Sequence, residues 1–372
     1  MGQYFVLFNI DRLEYISYDH KFGEVIFDGS FTSILQWLVK PIGYKPRPLN
    51  LMGGTRKVSD DERKISPEMD PSPLRNALGQ LAKFPDEILC MVFDNVDTLE
   101  DVVRLGFANR YLYNIAYNVV QQRYLQCRAA WAGCRLLCLG DYAESRDLPP
   151  GAFTKDEEQE IQEYCDTVDN ASPYQYFTKF CDLREPSMPR VEFSIIYDLL
   201  DCSDQNGAYS TRMKNYFWAI EHPALMYGTD QLWALCNLSK NEYVRLDAVD
   251  AVLGYKAGHP LSLQDMCFSV AQVLACRICW SSEPSFALCY TELNHKGIWA
   301  GDRFEITTLD RMEPPKDGKI WKDVSDDAIN EAIELWKADY GDEWEERIGD
   351  RLNRHSLKMR EYNMNMIRQR WP

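Results

Sequence analysis

The alternation of apolar and polar positions near the start of the chain predicts a β-hairpin. Residues 4–8 and 14–18 are rich in Tyr, Phe, Val and Ile, and they flank a turn-like segment at 9–12. An apolar stripe at helical spacing follows over residues 33–40. Residues 1–50 are therefore predicted to form a hairpin and a helix.

The pattern changes over residues 51–73. Two adjacent glycines, a mixed run of charges and three prolines among Ser and Asp interrupt all periodicity there. This composition favours a flexible linker. A strongly helical block follows over residues 74–128.

Three short helices are predicted within this block. Pro85 suits a first helical turn because that turn needs no N–H from it. Thr98 can cap the second helix and Asn109 the third. About forty residues of such helices hold only a small core, so we expect some apolar side chains to be buried against a partner.

Two pairs of similar strings indicate an internal repeat. Residues 5–19 align with 233–247, and residues 131–135 recur at 299–303 in the same order. The hairpin string and the string at 131–135 lie farther apart in the first half of the chain than their counterparts do in the second half, by roughly the length of the linker and the helical block. This spacing predicts a duplicated unit whose first copy accepted that segment as an insertion; the alternative is chance similarity between short strings.

The remainder of the chain mixes helical and strand-like segments. An acidic segment with Ile161 at helical spacing is predicted to be a helix with a solvated face. Residues 325–372 are predicted to form a helical tail whose buried face carries Ile329, Ile333, Leu335 and Trp336. The expected fold class is α+β: a three-helix block inserted in a larger β-rich duplicated domain, whose remainder spans 129–324, with a C-terminal helix packed back on it.

Composition narrows the classes of partner. The 372 residues carry a net charge of −16, which argues against nucleic acid or an anionic membrane as the main partner. No apolar run approaches the roughly 20 residues that span a bilayer. The chain begins without a basic segment and a long apolar core, so its 12 cysteines are expected to be reduced, in the cytoplasm, the nucleus or both.

Candidate metal and catalytic groups are sparse. Cys276 and Cys279 have Cys267 and Cys289 nearby, but a structural zinc site usually needs a second close pair of ligands. Residues 273–280 are instead predicted to be a buried helix or strand. The five histidines are scattered, and no nucleophile or phosphate-binding motif accompanies them. We therefore expect no metal, no cofactor and no catalytic activity.

The helical block resembles the F-box. Its matches to the F-box pattern are Phe84-Pro85, Glu87-Ile88-Leu89, Val92-Phe93, Asp101-Val102 and Asn109-Arg110-Tyr111. The chain departs from the pattern at Phe84, where Leu is usual, and in its third helix, which lacks Trp. The start at residues 1–4 and the strings at 237–244 and 299–303 are also similar to a group of uncharacterised fungal F-box domain proteins.

This resemblance implies a substrate-recruiting subunit of a ubiquitin ligase that is not itself catalytic. An F-box docks on a Skp-type adaptor, which joins it to a cullin scaffold, and the rest of the chain selects a protein target. The alternative is an ordinary helical subdomain that packs on its own chain. The resemblance places these residues against the adaptor: Phe84, Pro85, Ile88, Leu89, Phe93, Leu99, Val102, Leu105 and Leu112.

The target-binding region shows no Leu-rich, WD or kelch period, so the protein target is unknown. An alternative function is a ligand-binding or hydrolytic two-lobed domain that carries a relic F-box. Because Cys134 stands at the place of Asp302 in the other repeat, a structural role is favoured for the residues of such a pocket. They are Asn237, Glu242, Tyr243, Trp299, Asp302 and Arg303.

Overall fold

A computed structural model describes residues 2–42, 78–127, 129–184, 231–252, 254, 268–284, 295–315 and 318–349. They fall into two compact units. Residues 78–127 form the helical unit, and the other described residues form the sheet unit. The predicted linker at 51–73 lies outside the described residues, as does the end of the predicted tail.

The fold is α+β. One mixed sheet contains nine strands among the described residues. They are β1 (Tyr4–Asn9), β2 (Glu14–Lys21), β3 (Cys134–Gly140), β4 (Asp182–Leu183), β5 (Trp233–Asn237), β6 (Glu242–Arg245), β7 (Cys279–Trp280), β8 (Arg303–Thr308) and β9 (Lys322–Asp323).

Helices are more extensive than strands, also within the sheet unit, so the expectation of a β-rich domain was wrong. The sequence of an apolar run such as residues 270–278 is compatible with a helix or a strand, and in the structure this run is a helix. The helices are α1 (Phe22–Asp28), α2 (Leu35–Leu38), α3 (Asp86–Asp94), α4 (Leu99–Phe107), α5 (Arg110–Cys127), α6 (Lys155–Thr167), α7 (Pro173–Phe180), α8 (Leu246–Val252), α9 (Val270–Ile278) and α10 (Ser325–Tyr340). None of these is both long and apolar enough to cross a membrane.

The sheet shows the same succession of strand types from either edge to its centre. The strand order is β4-β2-β1-β3-β8-β5-β6-β9, with β7 paired to β3 off this path. In each half, an antiparallel hairpin carries a two-residue parallel strand on its outer side and an antiparallel strand on its inner side. We call β1 to β4 the first half-sheet, and β5, β6, β8 and β9 the second. The inner strands β3 and β8 pair antiparallel at the centre.

The similar strings of the sequence occupy equivalent places in the two half-sheets. The Ile10 amide donates to the Arg135 carbonyl at 3.0 Å, and the Leu238 amide donates to the Arg303 carbonyl at 2.8 Å. The hairpin turns also match, because Asn241 adopts a left-handed backbone (φ 56°) where its counterpart Leu13 does so (φ 52°). The predicted hairpin and its repeat therefore share one backbone geometry.

Each half-sheet also buries one tryptophan against one glutamate. Trp131 Nε1 donates to Glu14 Oε2 at 2.7 Å, and Trp299 Nε1 donates to Glu242 Oε2 at 2.7 Å. Both indole rings are fully buried. A buried N–H requires an acceptor, which explains why Trp and Glu recur together in the two strings.

Short segments are exchanged between the half-sheets. Strand β7 pairs parallel to β3, and Val39 bridges in parallel to Ile306 on β8. Lys40 and Trp280 thus hold equivalent positions. The helical unit interrupts the sheet unit after this point, and the chain returns where the Trp131 amide donates to the Trp37 carbonyl at 3.0 Å.

Helix α10 packs on the sheet unit, as predicted for the start of the tail. Trp336 is fully buried and contacts Phe27 with ring centroids 4.7 Å apart. Ile329 is buried on the same face. Helix α6 likewise follows its predicted pattern, because Ile161 is buried and Asp156, Glu158 and Glu160 are exposed.

The helical unit has its own apolar core between α3, α4 and α5. Phe93, Val102 and Ile115 are among its buried members. Gly106 permits the close approach of α4 to α5, since a Cβ there would lie 2.5 Å from the Ala116 Cβ. The predicted cap of α4 is present, because Thr98 Oγ1 accepts the Asp101 amide at 3.1 Å.

Candidate functional site

Helix α3 presents two apolar faces. Leu89 and Phe93 point into the core, whereas Ile88, Met91 and Val92 are 40%, 57% and 50% exposed. Positions separated by three or four residues share one side of a helix, so these three side chains form a row. We define the exposed stripe as this row with the exposed residues of the preceding turn: Leu81, Phe84, Pro85, Ile88, Met91 and Val92.

The start of α3 is fixed by backbone geometry. Pro85 occupies the N-cap position with φ −56° and ψ 156°, and its carbonyl accepts the amides of Ile88 and Leu89 at 3.1 and 3.2 Å. Asp86 and Glu87 in the first turn oppose the positive end of the helix dipole. These contacts orient the exposed stripe before any partner arrives.

The other end of α3 is held by Arg123. Its Nη2 donates to the carbonyls of Phe93 at 3.1 Å and Asp94 at 2.9 Å, which belong to the last turn of the helix, where carbonyls lack the usual intrahelical partner. The sequence analysis missed this residue because it lies beyond the F-box-like pattern. Arg123 lies far from the end of α3 along the chain, so no local sequence pattern connects the two.

The chemistry of α3 is that of a contact surface. Burial, with the carboxylates of Asp94, Asp86 and Glu87 nearby, raises the pKa of the Cys90 thiol. The thiol is therefore protonated at neutral pH and a poor nucleophile. The exposed stripe offers apolar area rather than a reactive group.

The nine predicted adaptor contacts divide between this surface and the core. Phe84, Pro85 and Ile88 lie on the exposed stripe, and Leu105 is partly buried. Leu99 begins α4, but its side chain lies outside the description. The other four contribute to the core of the helical unit and are turned away from solvent: Leu89, Phe93, Val102 and Leu112.

The prediction that those four residues contact the adaptor is revised. Three short helices pack on one another through their largest apolar side chains, so these side chains lie in the core. Sequence reasoning also left Leu81, Met91 and Val92 out of the predicted contacts. A signal was present for the last two, which stand three and four residues after Ile88.

The residues of the alternative pocket mostly bind one another. Asn237 Nδ2 donates to Asp302 Oδ2 at 2.8 Å, and Lys240 Nζ lies 3.0 Å from the same carboxylate oxygen. Glu242 accepts the indole N–H of Trp299, as described above. The ring centroids of Tyr243 and Trp321 lie 6.5 Å apart, and Arg303 lines a cleft. This arrangement supports a structural role for most of the set.

The cysteine pair of α9 and β7 is deeply buried. Cys279 Sγ donates to the Cys276 carbonyl at 3.2 Å, and burial is the main cause that raises the pKa of both thiols. Within the described residues, no three His, Cys, Asp or Glu side chains are placed to hold a metal ion. These thiols act as small apolar groups of the core.

Comparison of the chain with known protein families, curated proteins and solved structures finds no match. Function is therefore argued from the residues themselves.

Proposed function

We propose that the protein is a substrate-recruiting subunit of a Skp/cullin/F-box ubiquitin ligase and is not itself an enzyme. In this proposal the exposed stripe of the helical unit docks on a Skp-type adaptor, which connects it to a cullin scaffold. The rest of the chain binds a protein target in the cytoplasm, the nucleus or both.

The exposed stripe is the observation that supports this proposal. Large apolar side chains that stay 40–57% exposed along one helix side mark a protein interaction surface more often than a solvated face. Burial of the half of each side chain that is still exposed stabilises a complex by roughly 1 kcal/mol. Three residues of the stripe, Phe84, Pro85 and Ile88, are also among those that the F-box resemblance places against the adaptor.

The direct test is binding of the full chain to a purified Skp-type adaptor, measured by calorimetry. Ile88→Asp should weaken binding at least about 100-fold, because a carboxylate without a partner in an apolar interface costs several kcal/mol. Ile88 is 40% exposed, so thermal unfolding of the free chain should change little. Phe93→Asp is a poor test, because Phe93 is buried and the variant would unfold the helices.

The matched control is Asp94→Ser, an exposed position of α3 outside the exposed stripe. It should bind the adaptor as the wild type does. Absence of a complex with the wild-type chain, or equal affinity of Ile88→Asp, would overturn the proposal.

A further inference from the structure

The two half-sheets differ in what covers one face. In the first half-sheet, Phe8 pairs with Leu137 across β1 and β3, and both side chains are fully buried. Helices α6 and α7 cover them, with Ile161 and Phe177 in the same apolar cluster. Such large apolar side chains are favourable on this face because two helices bury them there.

Within the described residues, no helix takes the place of α6 and α7 on the equivalent face of the second half-sheet. Cys236 and Glu305 pair at the positions of Phe8 and Leu137, and Lys40 takes the place of Trp280. The chain that leaves β8 reaches β9 within residues 309–321. In the described part of that segment, the only helical piece is the 3-10 turn Leu309–Arg311.

A cleft of about 620 Å³ lies on this face of the second half-sheet. Its lining includes Lys40, Cys236, Leu238, Arg303, Glu305 and Trp321. Gly133 and Gly301, the equivalent glycines of the strings at 131–135 and 299–303, also differ in how closely other residues approach them. A Cβ on Gly301 would collide with Ala152, whereas a Cβ on Gly133 would meet no atom within 4 Å.

The equivalent arginines show what the covered site binds. Arg135 Nη1 and Nη2 donate to the two carboxylate oxygens of Glu157 at 2.9 and 2.8 Å. Glu157 belongs to the capping box that begins α6, in which Thr154 Oγ1 accepts the Glu157 amide at 3.3 Å. Ile161, one turn later, enters the apolar cluster. A Thr-x-x-Glu-x-x-x-Ile segment thus seats an acidic helix on the first half-sheet.

Arg303 stands at the matching place with its side chain 45% exposed beside the cleft. It donates to the Asp11 carboxylate and, through Nη1, to the Gly133 carbonyl at 2.9 Å. A guanidinium has five N–H groups, so these three bonds leave two N–H groups able to donate to a ligand. Lys40, which also lines the cleft and is 43% exposed, adds a second cation that pairs with Glu305 at 3.1 Å.

We propose that the cleft binds the first turns of an acidic amphipathic helix from a partner protein. The segment begins Ser/Thr-x-x-Glu, its Glu pairs with Arg303 as Glu157 pairs with Arg135, and an apolar residue four positions later packs on Leu238 and Trp321. The internal helix α6 is the template for this ligand. The inference rests on the proposed function only in calling the bound protein a ubiquitination target.

The test uses the immobilised full chain and a phage-displayed peptide library of the form Ser-x-x-Glu-x-x-x-Leu, with a Gln library as control. The Glu library should yield binding peptides, and their affinity by fluorescence anisotropy should fall about tenfold or more for Arg303→Gln. Leu238→Ser, which keeps the arginine, should also weaken binding. Arg347→Gln, an exposed arginine of the sheet unit outside the cleft, should leave it unchanged.

Peptides that bind Arg303→Gln and Leu238→Ser as tightly as the wild type would overturn the inference, as would equal enrichment from the Gln library. Self-association of the chain that Arg303→Gln abolishes would assign the cleft to a second copy and would also overturn it. Adaptor binding separates this inference from the proposed function. Arg303→Gln should still bind the adaptor, and Ile88→Asp should still bind the peptide.

Discussion

The first and second half-sheets have nearly the same backbone and very different surfaces. Their hairpins, edge strands and buried Trp–Glu pairs correspond, yet one face holds Phe8 and Leu137 in the first and Cys236 and Glu305 in the second. Backbone hydrogen bonds define the sheet in both halves. The identity of the side chains instead follows from whether helices cover that face.

The largest expected difference lies at the counterparts Phe8 and Cys236, which are both buried but of which, within the described residues, only Phe8 packs beneath helices. Phe8→Ala should lower the free energy of unfolding by about 3–5 kcal/mol, because it empties space beneath α6 and α7. Cys236→Ala removes one sulfur atom at the edge of a cleft and should cost about 1 kcal/mol or less. Urea unfolding of the two variants measures both. Equal losses would mean that the second half-sheet is packed as tightly as the first.

The two glycines should differ by an intermediate amount. Alanine at Gly133 or Gly301 adopts a left-handed backbone, which costs roughly 1–2 kcal/mol at either position. Gly301→Ala also collides with Ala152 and should lose about 1–3 kcal/mol more. Thermal unfolding compares the pair, and identical melting temperatures would contradict the difference in cover.

The smallest expected effect concerns the Arg135–Glu157 pair. The hydrogen bonds from Arg135 lower the pKa of Glu157 to about 2, against an ordinary value of 4.5. Because the folded pKa is depressed, the stabilisation is complete above pH 4.5 and is lost as the pH falls towards 2. Glu157→Gln should cost about 1 kcal/mol at pH 7, allowing for solvent screening, and little near pH 2.

Unfolding in urea across that pH range checks the prediction, with Glu163→Gln as a control. Glu163 is an exposed residue of the same helix whose carboxylate accepts a hydrogen bond from Gln159 rather than from an arginine. A difference between wild type and Glu157→Gln that stays constant from pH 7 to pH 2 would exclude a contribution from the ionised pair.

Local features of the fold could be predicted from the sequence because their causes are local. The hairpin, the cap at Thr98 and the buried Ile161 each follow from a few neighbouring residues. The central pairing of β3 with β8 and the exchange of β7 with the segment at Val39 could not be predicted. Each depends on two segments far apart in the chain, and the strings themselves do not state a register.

The candidate sites show the same limit. The F-box-like pattern names Ile88, Leu89 and Phe93 together, but only packing by α4 and α5 decides that Ile88 faces solvent and Phe93 the core. The cleft had a signal in the repeat, since Phe8 aligns with the much smaller Cys236. That contrast becomes informative only when the helices above Phe8 are known.

The point at which the helical unit interrupts the sheet unit has a consequence for how the chain closes around it. Trp131 and Trp37 are joined by a backbone hydrogen bond, so the two ends of the interruption are already neighbours in the host. The cost of closing a loop rises only slowly with its length, so a long segment can enter here without loss of any strand pairing. The sheet unit can therefore carry the helical unit at this point and keep its own strand pairing.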